Sequence, residues 1–101
     1  MIKIEELGEG KGDVTAMAGH NVDLKYKGTF EDGRVFDSGQ FSFQVGSGQV
    51  IQGFDMGVTG MKVGGKRKIT VPPELGYGAR GAGPIPGNTT LVFELEILKI
   101  K

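Results

Sequence analysis

The sequence contains no cysteine, which excludes disulfides, thiolate catalysis and cysteine-based zinc sites together. A reducing compartment is compatible with that absence. Histidine is nearly absent as well: His20 is the only one, so no histidine pair can hold a metal. It sits in the polar Gly19-His20-Asn21 turn, where a plain solvated residue is expected. Serines are few, at Ser38, Ser42 and Ser47, and with one histidine in a turn a hydrolase triad has little to build on. Charge of one sign is also missing. Lys+Arg and Asp+Glu each number 12 and cancel, so no long-range field gathers phosphate backbones or anionic lipid. No apolar run approaches the length that crosses a bilayer, and Met1-Ile2-Lys3-Ile4-Glu5-Glu6 lacks the basic start and apolar run of a secretory signal. By elimination the expectation is a cytoplasmic protein with no nucleic-acid and no membrane partner.

What is present in excess is glycine, 19 residues in 101, well above the average of about 7%. These glycines follow no collagen-like period, and they suit a fold of antiparallel strands joined by tight turns. The length fits one domain, residues 1–101, able to bury a core without staples.

Strand signals recur along the chain. Residues Ile2 to Leu7 alternate apolar and polar and run into a turn cluster from Gly8 to Asp13. Val22, Leu24 and Tyr26 alternate with Asp23, Lys25 and Lys27, the two-residue period of a half-buried strand. Asp32-Gly33 is a hairpin turn signal. Phe36 and a short segment from Phe41 to Val45 read as further strand, as do Lys66 to Val71 and Thr90 to Ile100. In the last, Leu91, Phe93, Leu95 and Ile97 form one face. One stretch differs: Ile51, Phe54, Val58 and Met61 fall at helical spacing. Gly53 and Gly57 within it each cost roughly 1 kcal/mol against alanine, so this helix forms only by laying its stripe on a sheet. The expected fold is α+β, a twisted antiparallel sheet wrapped around one short helix. Pro72 to Thr89 has no period and is dense in glycine and proline, a long loop of the kind that carries function.

Two chemical motifs fail on context. Gly76-Tyr77-Gly78-Ala79-Arg80-Gly81 matches a dinucleotide fingerprint, but Gly83-Pro84-Ile85-Pro86-Gly87 follows at once and no helix can open there to meet a phosphate. The basic run Lys66-Arg67-Lys68 lies on a strand with Ile69 and Val71 behind it and is read as a solvated face. What remains is aromatic: Tyr26, Phe36, Phe41, Phe43, Phe54, Tyr77 and Phe93. From spacing alone core filling is the favoured role for these rings, each worth roughly 1.5–3 kcal/mol on burial.

The order of motifs changes that weighting. Asp23-Leu24-Lys25-Tyr26-Lys27-Gly28, Asp32-Gly33-Arg34-Val35-Phe36-Asp37-Ser38, and Gly48-Gln49-Val50-Ile51-Gln52-Gly53-Phe54 follow one another along the chain. Gly60 to Arg67, Val71 to Gly78, and Thr90-Leu91-Val92-Phe93-Glu94 then complete the series. Together they resemble the FKBP-type peptidyl-prolyl isomerases, the immunophilins that bind tacrolimus and rapamycin, over about Val22 to Lys99. The resemblance implies isomerisation of X-Pro bonds in peptides and in unfolded or folding proteins. Such rotation breaks no bond, so no cofactor or metal is expected, and a monomer is the default. The resemblance also implies catalytic roles for Tyr26, Asp37, Tyr77 and Phe93, and a substrate pocket of Phe36, Phe41, Phe43, Val50, Ile51, Phe54 and Ile85. Within it the Ile51 amide and Tyr77 phenol donate to ligand carbonyls, and Phe54 forms the floor. Three departures stand out. Phe54 replaces the usual tryptophan. The segment Ser38-Gly39-Gln40-Phe41 is several residues short and lacks the arginine that often pairs with the aspartate. The loop tip Gly83 to Gly87 is varied. The first two favour an alternative, a module that binds proline peptides or macrolides without turnover. A nucleic-acid-binding barrel would need basic and aromatic residues on one face, which neutral charge opposes.

Overall fold

A computed structural model describes residues 2–101. Among these residues, seven strands, one α-helix and a short 3-10 turn follow in chain order. The strands are β1 (Lys3–Gly8), β2 (Lys11–Thr15), β3 (Asn21–Phe30), β4 (Val35–Gln44), β5 (Lys62–Val63), β6 (Lys66–Val71) and β7 (Leu91–Ile100), with α1 (Gln52–Val58) between β4 and β5. Five of them form an antiparallel sheet in the order β1-β6-β7-β3-β4, and β2 pairs with β5 in a separate ribbon. The α+β architecture expected from the sequence is the one observed.

Period-two patterning places the core. Leu91, Phe93, Leu95 and Ile97 of β7 are all buried, as are Val22 and Leu24 of β3 and Ile69 and Val71 of β6. All lie on the side of the sheet that faces α1, whose Phe54 and Val58 complete the same cluster. The helix lies close because Gly53 and Gly57 face the sheet. A Cβ on Gly53 would stand 2.5 Å from Val71 Cγ1, and one on Gly57 would stand 2.6 Å from Ile69 Cδ1. These glycines, unfavourable for an isolated helix, set the helix-to-sheet distance.

Five expectations are corrected. Only Glu9 and Gly10 separate β1 from β2, so Lys11 to Asp13 is strand and not part of a turn cluster. The β2 ribbon is almost wholly exposed and shows no apolar alternation. The two short segments, Phe36 and Phe41 to Val45, are joined in one continuous ten-residue strand, Val35–Gln44, with Val45 already in the turn that follows. Met61 lies beyond the helix, which ends at Val58, yet reaches the core at 4% exposure. The Pro72 to Thr89 segment is partly ordered, by the 3-10 turn Pro73–Leu75 and a bridge between Ala82 and Ile85. Arg67 is not solvated: its side chain is 12% exposed. It pairs with Glu6, and its Nη1 donates to the carbonyls of Gly57 (2.8 Å) and Thr59 (2.9 Å). A strand residue thus satisfies carbonyls left open at the end of α1.

Candidate active site

At one end of the sheet's concave side lies a cavity of about 300 Å³, lined by Tyr26, Phe36, Asp37, Phe41, Gln49, Val50, Ile51, Phe54, Tyr77 and Phe93. That volume is at the lower end of the range for small-ligand sites. Each wall has a local cause. Gly28 on β3 pairs with Phe93 of β7 and Asp37 of β4. Any side chain at position 28 would collide with two rings, since a Cβ there would be 2.6 Å from Phe36 Cζ and 2.9 Å from Phe93 Cε1. The β3–β4 register shifts just beyond this pair, from Gly28–Asp37 to Thr29–Val35, leaving Phe36 as the extra residue of a bulge. A bulge re-aims its side chain, and Phe36 meets Phe93 edge to face at 5.7 Å between centroids.

Phe54 forms the floor. Its ring packs at 5.2 Å from Phe93, 5.6 Å from Phe41, 5.9 Å from Phe43 and 6.2 Å from Tyr26. Tyr26 stands edge-on to Phe41 at 5.3 Å. Such offset and edge contacts each add about 0.5–1.5 kcal/mol beyond burial, and together they fix the wall against collapse. The loop entering α1 is pinned by Asp55, whose carboxylate accepts from the amides of Gly46 (2.9 Å) and Gly48 (3.4 Å). The Ile51 carbonyl starts the helix by accepting from the amides of Phe54 and Asp55. No protein group among the described residues accepts from the Ile51 amide itself, and Ile51 is half-buried at the cavity wall.

The polar rim is Asp37 and two tyrosines. Tyr26 Oη donates to Asp37 Oδ2 at 2.7 Å, and the Ser38 amide donates to Asp37 Oδ1 at 2.9 Å. Asp37 is therefore held by a phenol and a backbone amide. That hydrogen bond to Asp37, helped by partial burial, pushes the Tyr26 phenol up to about 12. Tyr26 remains a donor throughout the neutral range. Tyr77, from the Pro72 to Thr89 loop, is 38% exposed, and its phenol has no protein partner among the described residues. The loop beneath it is fastened by the Gly78 amide on the Pro73 carbonyl (2.8 Å) and the Asn88 amide on the Gly78 carbonyl (2.9 Å).

Of the eleven residues singled out from the sequence, nine line this cavity. Phe43 does not. It is 5% exposed, stacks on Phe41 at 5.5 Å and supports Phe54 from behind, because its register position opposite Val22 sets it deeper under the sheet. Ile85 lines an adjoining depression of about 420 Å³ with Phe36, Asp37, Tyr77, Ala82, Gly83 and Pro84. Gln49 and Asp55 were missed. Gln49 was legible only as a member of the Gly48 to Phe54 block, and Asp55 only through hydrogen bonds that a sequence does not display. A smaller depression of about 200 Å³, among Lys25, Lys27, Lys66, Glu94 and Glu96, lies on the sheet's other face and is edged by charged side chains.

Comparison with known proteins identifies the family and the fold. The family described as "FKBP-type peptidyl-prolyl cis-trans isomerase" matches residues 12–98. The chain is 48% identical to "FK506-binding protein 1" of Dictyostelium discoideum, over 99% of this chain and 98% of that one. It is 50% identical to "FK506-binding protein" of Neisseria meningitidis serogroup A, over 96% and 94%. It is 46% identical to "FK506-binding protein 4" of Aspergillus oryzae, where it spans only 22% of the relative's length. The crystal structure of FkpA from Escherichia coli superposes with a TM-score of 0.88 at 38% identity, covering 99% of this chain and 48% of that one. The family match over most of the chain, and relatives about half identical over nearly their whole length, show that the chain belongs to the FKBP-type peptidyl-prolyl cis-trans isomerase family.

Proposed function

We propose that this chain accelerates cis/trans rotation of X-Pro bonds by seating the prolyl ring on Phe54, between the rings of Tyr26, Phe36, Phe41 and Phe93. The uncatalysed barrier of about 18–20 kcal/mol is the resonance lost as the amide twists, and X-Pro exchange takes tens to hundreds of seconds. No bond breaks, so the chemistry asks for no nucleophile. The twisted amide carries a less polar carbonyl than the planar one. An apolar enclosure therefore disfavours the planar, well-solvated form more than the twisted form, which is differential binding. The Ile51 amide and Tyr77 phenol orient the chain through its carbonyls. A thousandfold acceleration requires about 4 kcal/mol.

The observation that carries this reading is a ring-walled cavity with one backbone donor, Ile51 N–H, left without a protein partner at its wall. The substrates proposed are proline-containing segments of unfolded or folding proteins. An FK506-type macrolide competes for the same cavity, as the names of the relatives suggest. The finer reading is a monomer, working in the cytoplasm, with which the absence of cysteine is compatible. A protease-coupled assay on an X-Pro tetrapeptide tests the activity. Acceleration is expected, flat between roughly pH 5.5 and 8, with Phe93→Ala losing most of it and Tyr77→Phe less. Peptide binding without acceleration leaves only a binding module, and a bell-shaped profile points to acid–base chemistry instead.

A further inference from the structure

We propose that the outer edge of β4 is a second binding surface, which takes an extended stretch of the substrate chain as an added strand while its proline occupies the cavity. This rests on the isomerase reading above and adds to it a site outside the cavity. β4 is the last strand of the five-stranded sheet, and its register with β3 is unbroken from Asn21–Gln44 to Gly28–Asp37. The Val45 amide donates to the His20 carbonyl at 2.9 Å. Antiparallel alternation then directs Phe43, Phe41, Gly39 and Asp37 toward β3 and turns the backbone groups of Ser38, Gln40, Ser42 and Gln44 outward.

Both ends of that outward row are already closed. The Gln44 amide donates to Gln49 Oε1 at 2.9 Å, and the Gln44 carbonyl accepts from Ser47 Oγ at 2.7 Å. At the other end the Ser38 amide is taken by Asp37. Between them the outward amides and carbonyls of Gln40 and Ser42 meet no partner among the described residues. Protein sheets usually protect such an edge with charges, proline or a bulge. β1, at the opposite edge, follows that practice: it carries Lys3, Glu5 and Glu6 and a register break. Ser38 to Gln44 carries no charge, no proline and no bulge.

Location and chemistry name the occupant. Phe41, between the two open residues, lines the cavity, so a chain leaving the cavity passes this edge. The residue before a proline is biased toward extended conformations, the shape that strand addition requires. Gln40 and Ser42 are about 6.8 Å apart along the strand, so a segment of three or four residues spans the window. A window of two residues is too short to hold a second copy of this chain by strand pairing alone. A substrate already held by its proline needs no more. Because the contacts are to main chain, they select extended polypeptide over folded surface and tolerate any sequence.

Amide hydrogen exchange on labelled protein tests this. A proline peptide of about ten residues should slow exchange at Gln40 and Ser42, whereas a blocked Xaa-Pro dipeptide should not. Gln40→Pro removes an outward donor that β3 does not use. It should lower kcat/KM about tenfold for the long peptide and change it less than about twofold for a tetrapeptide. Equal losses on both peptides, or no protection by the long one, would overturn the proposal. Protection that grows with protein concentration in the absence of peptide would overturn it too, by assigning the edge to a second copy. If wild-type protein isomerises neither peptide yet the long one protects the edge, the isomerase reading fails and this surface stands.

Discussion

Replacing Gly53 by alanine sets two physical effects against each other, and the structure decides the sign. Helix propensity alone favours alanine by roughly 0.8–1 kcal/mol in a helix interior. Against this, the new Cβ would stand 2.5 and 2.9 Å from the two γ-carbons of Val71 and 3.1 Å from the Leu75 carbonyl oxygen. Val71 is fully buried and its β-branched side chain is stiff, and a backbone oxygen cannot step aside. Overpacking of this kind costs typically 1–3 kcal/mol, so Gly53→Ala should destabilise by about 1–2 kcal/mol net. With an m-value near the low end for small proteins, the urea midpoint followed by circular dichroism should fall by roughly 1 M. The displaced helix carries Phe54 and follows Ile51, so kcat/KM on an X-Pro tetrapeptide should fall as well. Val71→Ala removes both clashing methyls, so a double-mutant cycle should show favourable coupling of about 1 kcal/mol. Gln52→Ala, exposed on the same helix, should stay within about 0.5 kcal/mol of wild type. A raised midpoint for Gly53→Ala would refute the claim that glycine sets the helix-to-sheet distance.

Three further outcomes are expected. In a Tyr77→Phe background, Tyr26 should titrate near pH 12 by ultraviolet absorbance, with about 3% phenolate at pH 10.5 against about three-quarters for an unperturbed phenol. Because its pKa is raised in the folded state, the stability it contributes is fully present below pH 10 and is lost as pH rises toward 12. Asp37→Ala should bring the titration back toward 10, and no movement would exclude the Tyr26–Asp37 bond as its cause. Arg67→Met keeps the stem but leaves the Gly57 and Thr59 carbonyls unpaired, and should cost about 2–3 kcal/mol in chemical denaturation; a loss under 0.5 kcal/mol would show that water replaces the guanidinium freely. Phe43→Leu should cost roughly 1 kcal/mol of stability while leaving the tetrapeptide KM within about twofold, whereas Phe41→Leu should raise KM; the reverse pattern would place Phe43 in the cavity wall.

Where a segment has one dry and one wet side, its pattern is readable. β3, β6 and β7 were legible for that reason: Val22 and Leu24, Ile69 and Val71, and Leu91 to Ile97 mark a single buried face. The edge elements have no such face. β1 was legible from alternation although every residue of it is exposed, whereas in β2 only Thr15 is half-buried, and its glycine-rich start read as turn where the chain in fact continues as strand. Met61 sits on the helical stripe by spacing but follows the end of α1, since core contact does not require helical backbone.

The candidate site divides in the same way. Aromatic content and the ordered motif blocks are properties of the chain, and they determined the family and most of the residues that meet at the cavity. Whether a ring fills the core or faces a ligand depends on distances across strands far apart in sequence. Only the folded molecule could put Phe43 behind Phe54, give Asp37 a phenol and an amide as partners, and turn Arg67 inward onto the end of α1. Those outcomes depend on register and on the close approach that Gly28, Gly53 and Gly57 permit. They are non-local contacts, whereas periodicity and composition record only which side of each segment avoids water.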